Sequence, residues 1–408
     1  MKPTVSQIAG FCYLHSDGCA AGIQKGAFIM QNCQDTFPTT FTSYNELFGY
    51  QQQVSSRSQW SHCAVNQLHV EPLNHNSSCY PALKEFAPGV SSEAVEDSFN
   101  NLGLAIRFDQ KLYPVRETAY KSLLDRAKVS GSGLNKLTKT ELAQVLNTFL
   151  SHFRSEALVL VRDEKISAVH SGDESDYAIL PIDLLLGTLQ AKLDVRFPGN
   201  VFDAGYSDHA ITSASWELPD QKDDLIGTYT KLLDAKGKSA MASRLTPGIR
   251  FLTSDTGIAS AKVSALLIGS QHPIHIGSCV AVDHRHKSSI ADFDAALDQL
   301  FAQFGESMSS LQHLLEVELD YPVNAMTRVC KKLSMPKKAA VEAIAMYEMT
   351  YGGGAATAHD VFLAMQEIPF IMKTSGAPES KLLALEENMA RALTLNWNEY
   401  DLAKAVEY

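Results

Sequence analysis

SEALVLVRDEKISAVHSGDESDYAILPIDLLLGTL, residues 155–189, is the stretch that decides the architecture. Ala157 to Val161 is a short apolar run. From Lys165 to His170, the residues Ile166, Ala168 and His170 alternate with Ser167 and Val169. Asp163-Glu164 between them is short enough for a tight connection, so the two runs predict an antiparallel hairpin rather than a crossover. Leu184, Leu185, Leu186, Leu189 and Leu193 then recur near helical spacing, with Pro181 where an early helical turn tolerates it. Strand, strand, helix is the order.

Working outward, Thr138 and Glu141 have capping-box form ahead of Leu142, Val145, Leu146 and Phe149, and a second helix is expected within Val115 to Ala127. Ser130 to Gly133 links the two as a loop. Downstream, Ala210–Glu217, Ile249–Thr253, Ser260–Ile268 and Ile274–Val282 read as strands and Asp220–Ala235 as a helix. In the last of these strands Ile274, Ile276, Val280 and Val282 share one face and should be buried. From Ser289 the pattern is helical throughout, with one stripe at Leu297, Leu300, Phe301 and Phe304 and a second helix from Leu311 towards Pro322. Gly352 to Gly354 stops a helix. The expected fold is α+β, an antiparallel β-rich middle domain followed by a helical C-terminal domain. Its expected divisions are an irregular Cys/His-containing segment over 1–90, a helical segment over 91–154, an α+β core over 155–288 and helices over 289–408.

The 155–189 run, with Ala-Val-His-Ser at 168–171 and Tyr177, resembles the phage and plasmid-like family called domain of unknown function 932. RFLTSDTGIASAKVSALLIGSQHPIHIGS at 250–278 is similar to that family's second β-rich block, and YGGGAATAHDVFLAMQEIP at 352–369 to its closing helical region. The likeness spans about residues 155–400 and leaves 1–90 unmatched. It implies residence on mobile elements, and it carries over no catalytic residue.

The chain has 408 residues, 45% of them hydrophobic, enough for more than one ordinary core. No run approaches the ~18 apolar residues that span a bilayer, and the N-terminus lacks a signal core, so no membrane partner is expected and the cytoplasm is the expected compartment. Seven cysteines, an odd number, suggest reduced thiols. A net charge of −11 repels phosphates generally, so a nucleic-acid site must be local.

The best local candidate is the run from Asn324 to Met346, which reads as helix, short turn, helix. Arg328, Lys331, Lys332, Lys337 and Lys338 give it five cations with no acidic residue between the first and the last of them. Ser334 is placed to cap the second helix and Pro336 to start it. An ordinary helical hairpin with solvated lysines has the same pattern. Weaker candidates for metal are Asp283, His284 and His286, where the two histidines fall on one face if the strand continues, and Cys12 with His15 near the N-terminus. His275, Cys279 and Asp283 lie about 13 Å apart at successive steps of a strand, too far to share one ion. Buried thiols and solvated histidines are the competing reading. No cofactor motif is present.

These features favour an accessory protein of a mobile element that binds DNA, single-stranded nucleic acid or a replication or defence partner, with self-association as a further option. A metal-dependent hydrolase or nuclease is the rival. A non-catalytic inhibitor of a host defence system, its acidic surface imitating nucleic acid, is a third.

Overall fold

The computed structural model describes residues 33–73, 90–172, 177–269, 273–285 and 287–408. It is α+β, with 49% helix, 23% strand, antiparallel sheets and a helical C-terminal region. Two hydrophobic cores divide most of its buried residues.

The chain enters through β1 (Thr39–Phe41) and helix α1 (Tyr44–Ser56), then β2 (Ser58–Ala64) and β3 (His69–Pro72). Helix α2 (Ser92–Asn100), strands β4 (Leu104–Phe108) and β5 (Lys111–Pro114), and helices α3 (Ala119–Ala127) and α4 (Lys139–Leu150) follow. The hairpin of β6 (Glu156–Arg162) and β7 (Lys165–Ser171) forms as expected. Asp163 and Glu164 at its tip have φ of 47° and 68°, the paired left-handed geometry of a two-residue turn whose twist matches the strands. β2 pairs with β6 and β6 with β7, while β3, β4 and β5 make a second three-stranded sheet.

Val159, Val161, Ile166 and Val169 of the hairpin are buried with Leu104, Ile106, Leu123, Leu142 and Leu146. The hairpin therefore shares its core with residues before 155, whereas a unit over 155–288 was expected. The reason is the alternation itself, which marks a buried face without saying which neighbour buries it. Two further expectations change. The 1–90 segment contains the helix α1, and the 91–154 segment contains the β4–β5 hairpin.

The second core begins with α5 (Ile182–Arg196), β8 (Val201–Ser207), β9 (Thr212–Glu217), α6 (Lys222–Ala235), α7 (Ser239–Arg244), β10 (Thr246–Thr253), β11 (Ala261–Ile268) and β12 (Ile274–Val282). These strands and β1 form one antiparallel sheet of order β1-β8-β9-β10-β11-β12. Helix α8 (Ile290–Leu314) lies against it as one continuous helix of 25 residues, where two were expected. Ser289 and Asp292 close its capping box. Ile274, Ile276, Val280 and Val282 are all buried in this core, as their spacing requires.

The chain ends in β13 (Glu318–Leu319), α9 (Pro322–Lys332), α10 (Lys337–Tyr351), β14 (Ala356–Thr357), α11 (Ala358–Met365), α12 (Glu367–Thr374) and α13 (Glu379–Ala390). Gly352, at φ 75°, ends α10. Helix α13 covers the other face of the large sheet through charges. Glu386 accepts from Arg250 at 2.5 Å and lies 3.3 Å from His275, and Lys262 reaches Glu387 at 2.9 Å. His275 is thus buried too, by a helix far away in sequence.

The two cores meet across a seam of charge. Lys165, fully buried, lies 2.8 Å from Asp35 and also pairs with Asp97, and Arg57 lies 2.8 Å from Asp163. Arg162 pairs with Asp255 across the seam, and Arg116 donates to the Gln34 carbonyl. Four cations face four carboxylates, so the charge closes without His209. Burial and the neighbouring Arg116, Arg162 and Lys165 hold that ring neutral, far below its ordinary range.

Candidate functional site

Where α3 and the end of β7 approach the loops 254–260 and 283–285, the surface opens into a polar cleft of about 550 Å³. One wall comes from each core. Lys121, Arg126 and Lys128 enter from α3 and its C-cap, and Arg285 enters from the turn after β12. Two carboxylates face them. Asp125 is exposed, and Asp283 accepts from the Ser260 hydroxyl at 2.5 Å. Arg126 and Lys128 sit at the C-terminal end of a helix, where a cation complements the macrodipole and needs no ligand to justify it. Lys121, early in that helix, and Arg285, on another segment, gain nothing from that dipole.

The inner wall of the cleft is a column of rings. His170 and Tyr177 stack with centroids 3.8 Å apart and planes 4° from parallel, and Tyr177 stacks on His284 at 5.4 Å. Trp60 continues the column, 6.1 Å from His170. Hydrogen bonds fix the two central rings: His170 Nε2 at 2.8 Å and the Tyr177 hydroxyl at 3.0 Å both donate to the Asp255 carbonyl. That bond leaves His170 Nδ1 unprotonated. Burial pushes the His170 ring down to about 4 and the Tyr177 hydroxyl well above its usual range, so neither carries charge near neutrality.

His284 belongs to this wall, which decides against its use as a ligand. Its Nδ1 donates to the Ala178 carbonyl at 3.2 Å and its Nε2 meets the Thr253 hydroxyl at 3.3 Å, so both nitrogens are engaged within the protein. Burial lowers its pKa as well. The strand also stops at Val282 and the chain turns, with Arg285 N–H bonded to the Asp283 carbonyl, so the one-face geometry expected from a continuing strand is absent. His286, Cys12 and His15 lie outside the described residues, as do His75 and Cys79. His62 stands near Glu156 at 3.6 Å, and Cys33, Cys63, Cys279 and Cys330 are free thiols. Among the described residues no group of three or more His, Cys, Asp or Glu side chains is placed to hold a metal.

The basic hairpin does form a helix, turn and helix. Its N-cap differs from expectation: Pro336 occupies that position without a side-chain bond, and Ser334, at φ 52°, sits in the turn. Arg328 and Lys331 donate to carbonyl groups of residues 402–407, while Lys332, Lys337 and Lys338 are exposed and make no ion pair among the described residues. The structure therefore divides the five cations into two held and three presented.

Sequence reasoning overlooked the cleft cations. Lys121, Arg126 and Lys128 lie within eight residues along one helix and its C-cap, but their partner wall is more than 120 residues away, and no local spacing announces it. A comparison with family models, curated proteins and solved structures finds no match.

Proposed function

We propose that the protein is a nucleic-acid-binding accessory protein of a mobile genetic element, and that the cleft between its two cores receives the phosphodiester backbone of a single strand. No catalytic step is assigned. The observation that carries this reading is the convergence of Lys121, Arg126, Lys128 and Arg285, from both cores, on one polar cleft of a chain whose net charge is −11. A cleft in which four cations outnumber two carboxylates attracts a phosphate locally even when the whole surface repels it. The resemblance of residues 155–189, 250–278 and 352–369 to a phage and plasmid-like family supplies the setting.

The test is anisotropy of a labelled oligothymidylate titrated with protein at several salt concentrations. Wild-type protein binds with an affinity that falls as salt rises, and Lys121→Glu with Lys128→Glu reduces the slope of log affinity against log salt by roughly 1.4, two contacts at about 0.7 each. Absence of binding at low salt, or a double variant that matches wild type, contradicts the reading.

A further inference from the structure

Residues 401–408 run along α9 and fasten to it through the polar side chains of that helix. Asn324 Nδ2 donates to the carbonyls of Leu402 at 3.0 Å and Ala403 at 3.1 Å. Arg328 donates to the carbonyls of Leu402, at 3.3 Å, and of Lys404, and Lys331 Nζ reaches the Glu407 carbonyl at 2.8 Å. Both ends are pinned. The Asp401 carboxylate accepts the N–H groups of Asp320 at 2.8 Å and Tyr321 at 2.7 Å, and the Tyr408 hydroxyl donates to the carbonyls of Cys330 at 3.2 Å and Met335 at 2.5 Å.

Between its ends the contacts are polar and exposed, while at the far end the half-buried Tyr408 ring also packs against the large hydrophobic core. Leu402 through Ala405 are open to solvent, so this stretch is held by surface hydrogen bonds against the entropy of ordering its backbone, with Tyr408 as its apolar anchor. A row of neutral carbonyl oxygens satisfies the donors of Arg328 and Lys331 without cancelling their charge. Phosphate oxygens satisfy the same donors and cancel the charge as well, which makes them stronger acceptors for a guanidinium or ammonium group.

We propose that the face formed by Arg328, Lys331, Lys332, Lys337 and Lys338 binds a nucleic-acid backbone, and that residues 401–408 are its intramolecular competitor, masking the first two cations until a strand displaces them. The segment occupies the donors of Arg328 and Lys331 on α9, while Lys332 at the end of α9 and Lys337 and Lys338 at the start of α10 stay exposed. This assignment stands apart from the cleft and does not depend on it.

The experiment compares the full chain with a chain lacking residues 401–408, both carrying Lys121→Glu and Lys128→Glu so that the cleft is silent. Labelled oligothymidylate and a duplex of equal length distinguish the two sources of phosphate, and circular dichroism checks the fold. Removal of the segment is expected to tighten binding and to steepen the salt slope by about 1.4 for the single strand or about 1.8 for the duplex. Arg328→Gln with Lys331→Gln in the shortened chain is expected to abolish that gain. Unchanged affinity and slope in a folded shortened chain overturn the proposal, and so does a gain that survives both glutamines. Should the shortened chain fail to fold, the full chain with Asp401→Asn and Tyr408→Phe, which loosens both ends of the segment, decides by the same two readouts.

Discussion

Lys165 begins β7 and has no solvent contact, held between Asp35 and Asp97. Taking an ammonium out of water costs several kcal/mol unless carboxylates meet it, and removing one partner of such a group strands the others. Lys165→Met should therefore lower unfolding free energy by about 3–5 kcal/mol in a urea melt, since two carboxylates lose their cation. A loss below about 1 kcal/mol would mean that water already reaches Asp35 and Asp97. Nothing in the sequence marks this lysine. It follows a turn and opens an alternating run, the usual place for a solvated charge, and its partners lie 68 and 130 residues away. His170 was legible as a strand residue, yet its place in a ring column depends on Tyr177 and His284 arriving from separate segments.

Elements whose signal is local were readable. The Asp163-Glu164 turn, the Thr138–Glu141 capping box and the Gly352 stop each rest on a few adjacent residues, and each forms. Helix α1 was not readable because its buried face, Leu47, Tyr50, Gln51 and Val54, includes an amide. Gln51 is buried there only because its Nε2 donates to Ser207 at 2.8 Å and Thr212 at 3.0 Å on the large sheet. Strand β12 was readable in its apolar face, although its pairing with β11 shifts register between Ser264 and Leu266, where Gly277 adopts φ 151°. Val280 lies beyond that irregularity, facing α8. Val280→Asp should cost more than about 3 kcal/mol by burying an unpaired charge, readable as a collapse of thermal stability. A variant as stable as wild type would place Val280 on the wrong face.

At the scale of the molecule, buried neutral histidines tie stability to pH. His170 and His359 are pushed by burial to about 4, and His284 and His209 are shifted in the same direction. A histidine whose folded pKa lies below its unfolded value near 6.5 contributes full stability above about pH 6.5 and loses it as pH falls towards the folded value. By about pH 5 the loss is roughly 2 kcal/mol for each of His170 and His359, so melting temperature should fall steeply between pH 7 and 5. A flat profile over that range would show that the rings are already solvated.

The division into cores was the least legible feature, because the hairpin that identifies the architecture packs with the residues before it, and the cleft exists only where the two cores meet. That cleft is the central claim. Lysine acetylation with and without bound oligothymidylate, read residue by residue by mass spectrometry, tests it most directly. Protection of Lys121 and Lys128, with Lys222 and Lys236 on α6 and its C-cap reacting equally in both states, is the expected result. Unchanged reactivity of Lys121 and Lys128 while the strand is demonstrably bound would place the nucleic acid elsewhere and contradict the account.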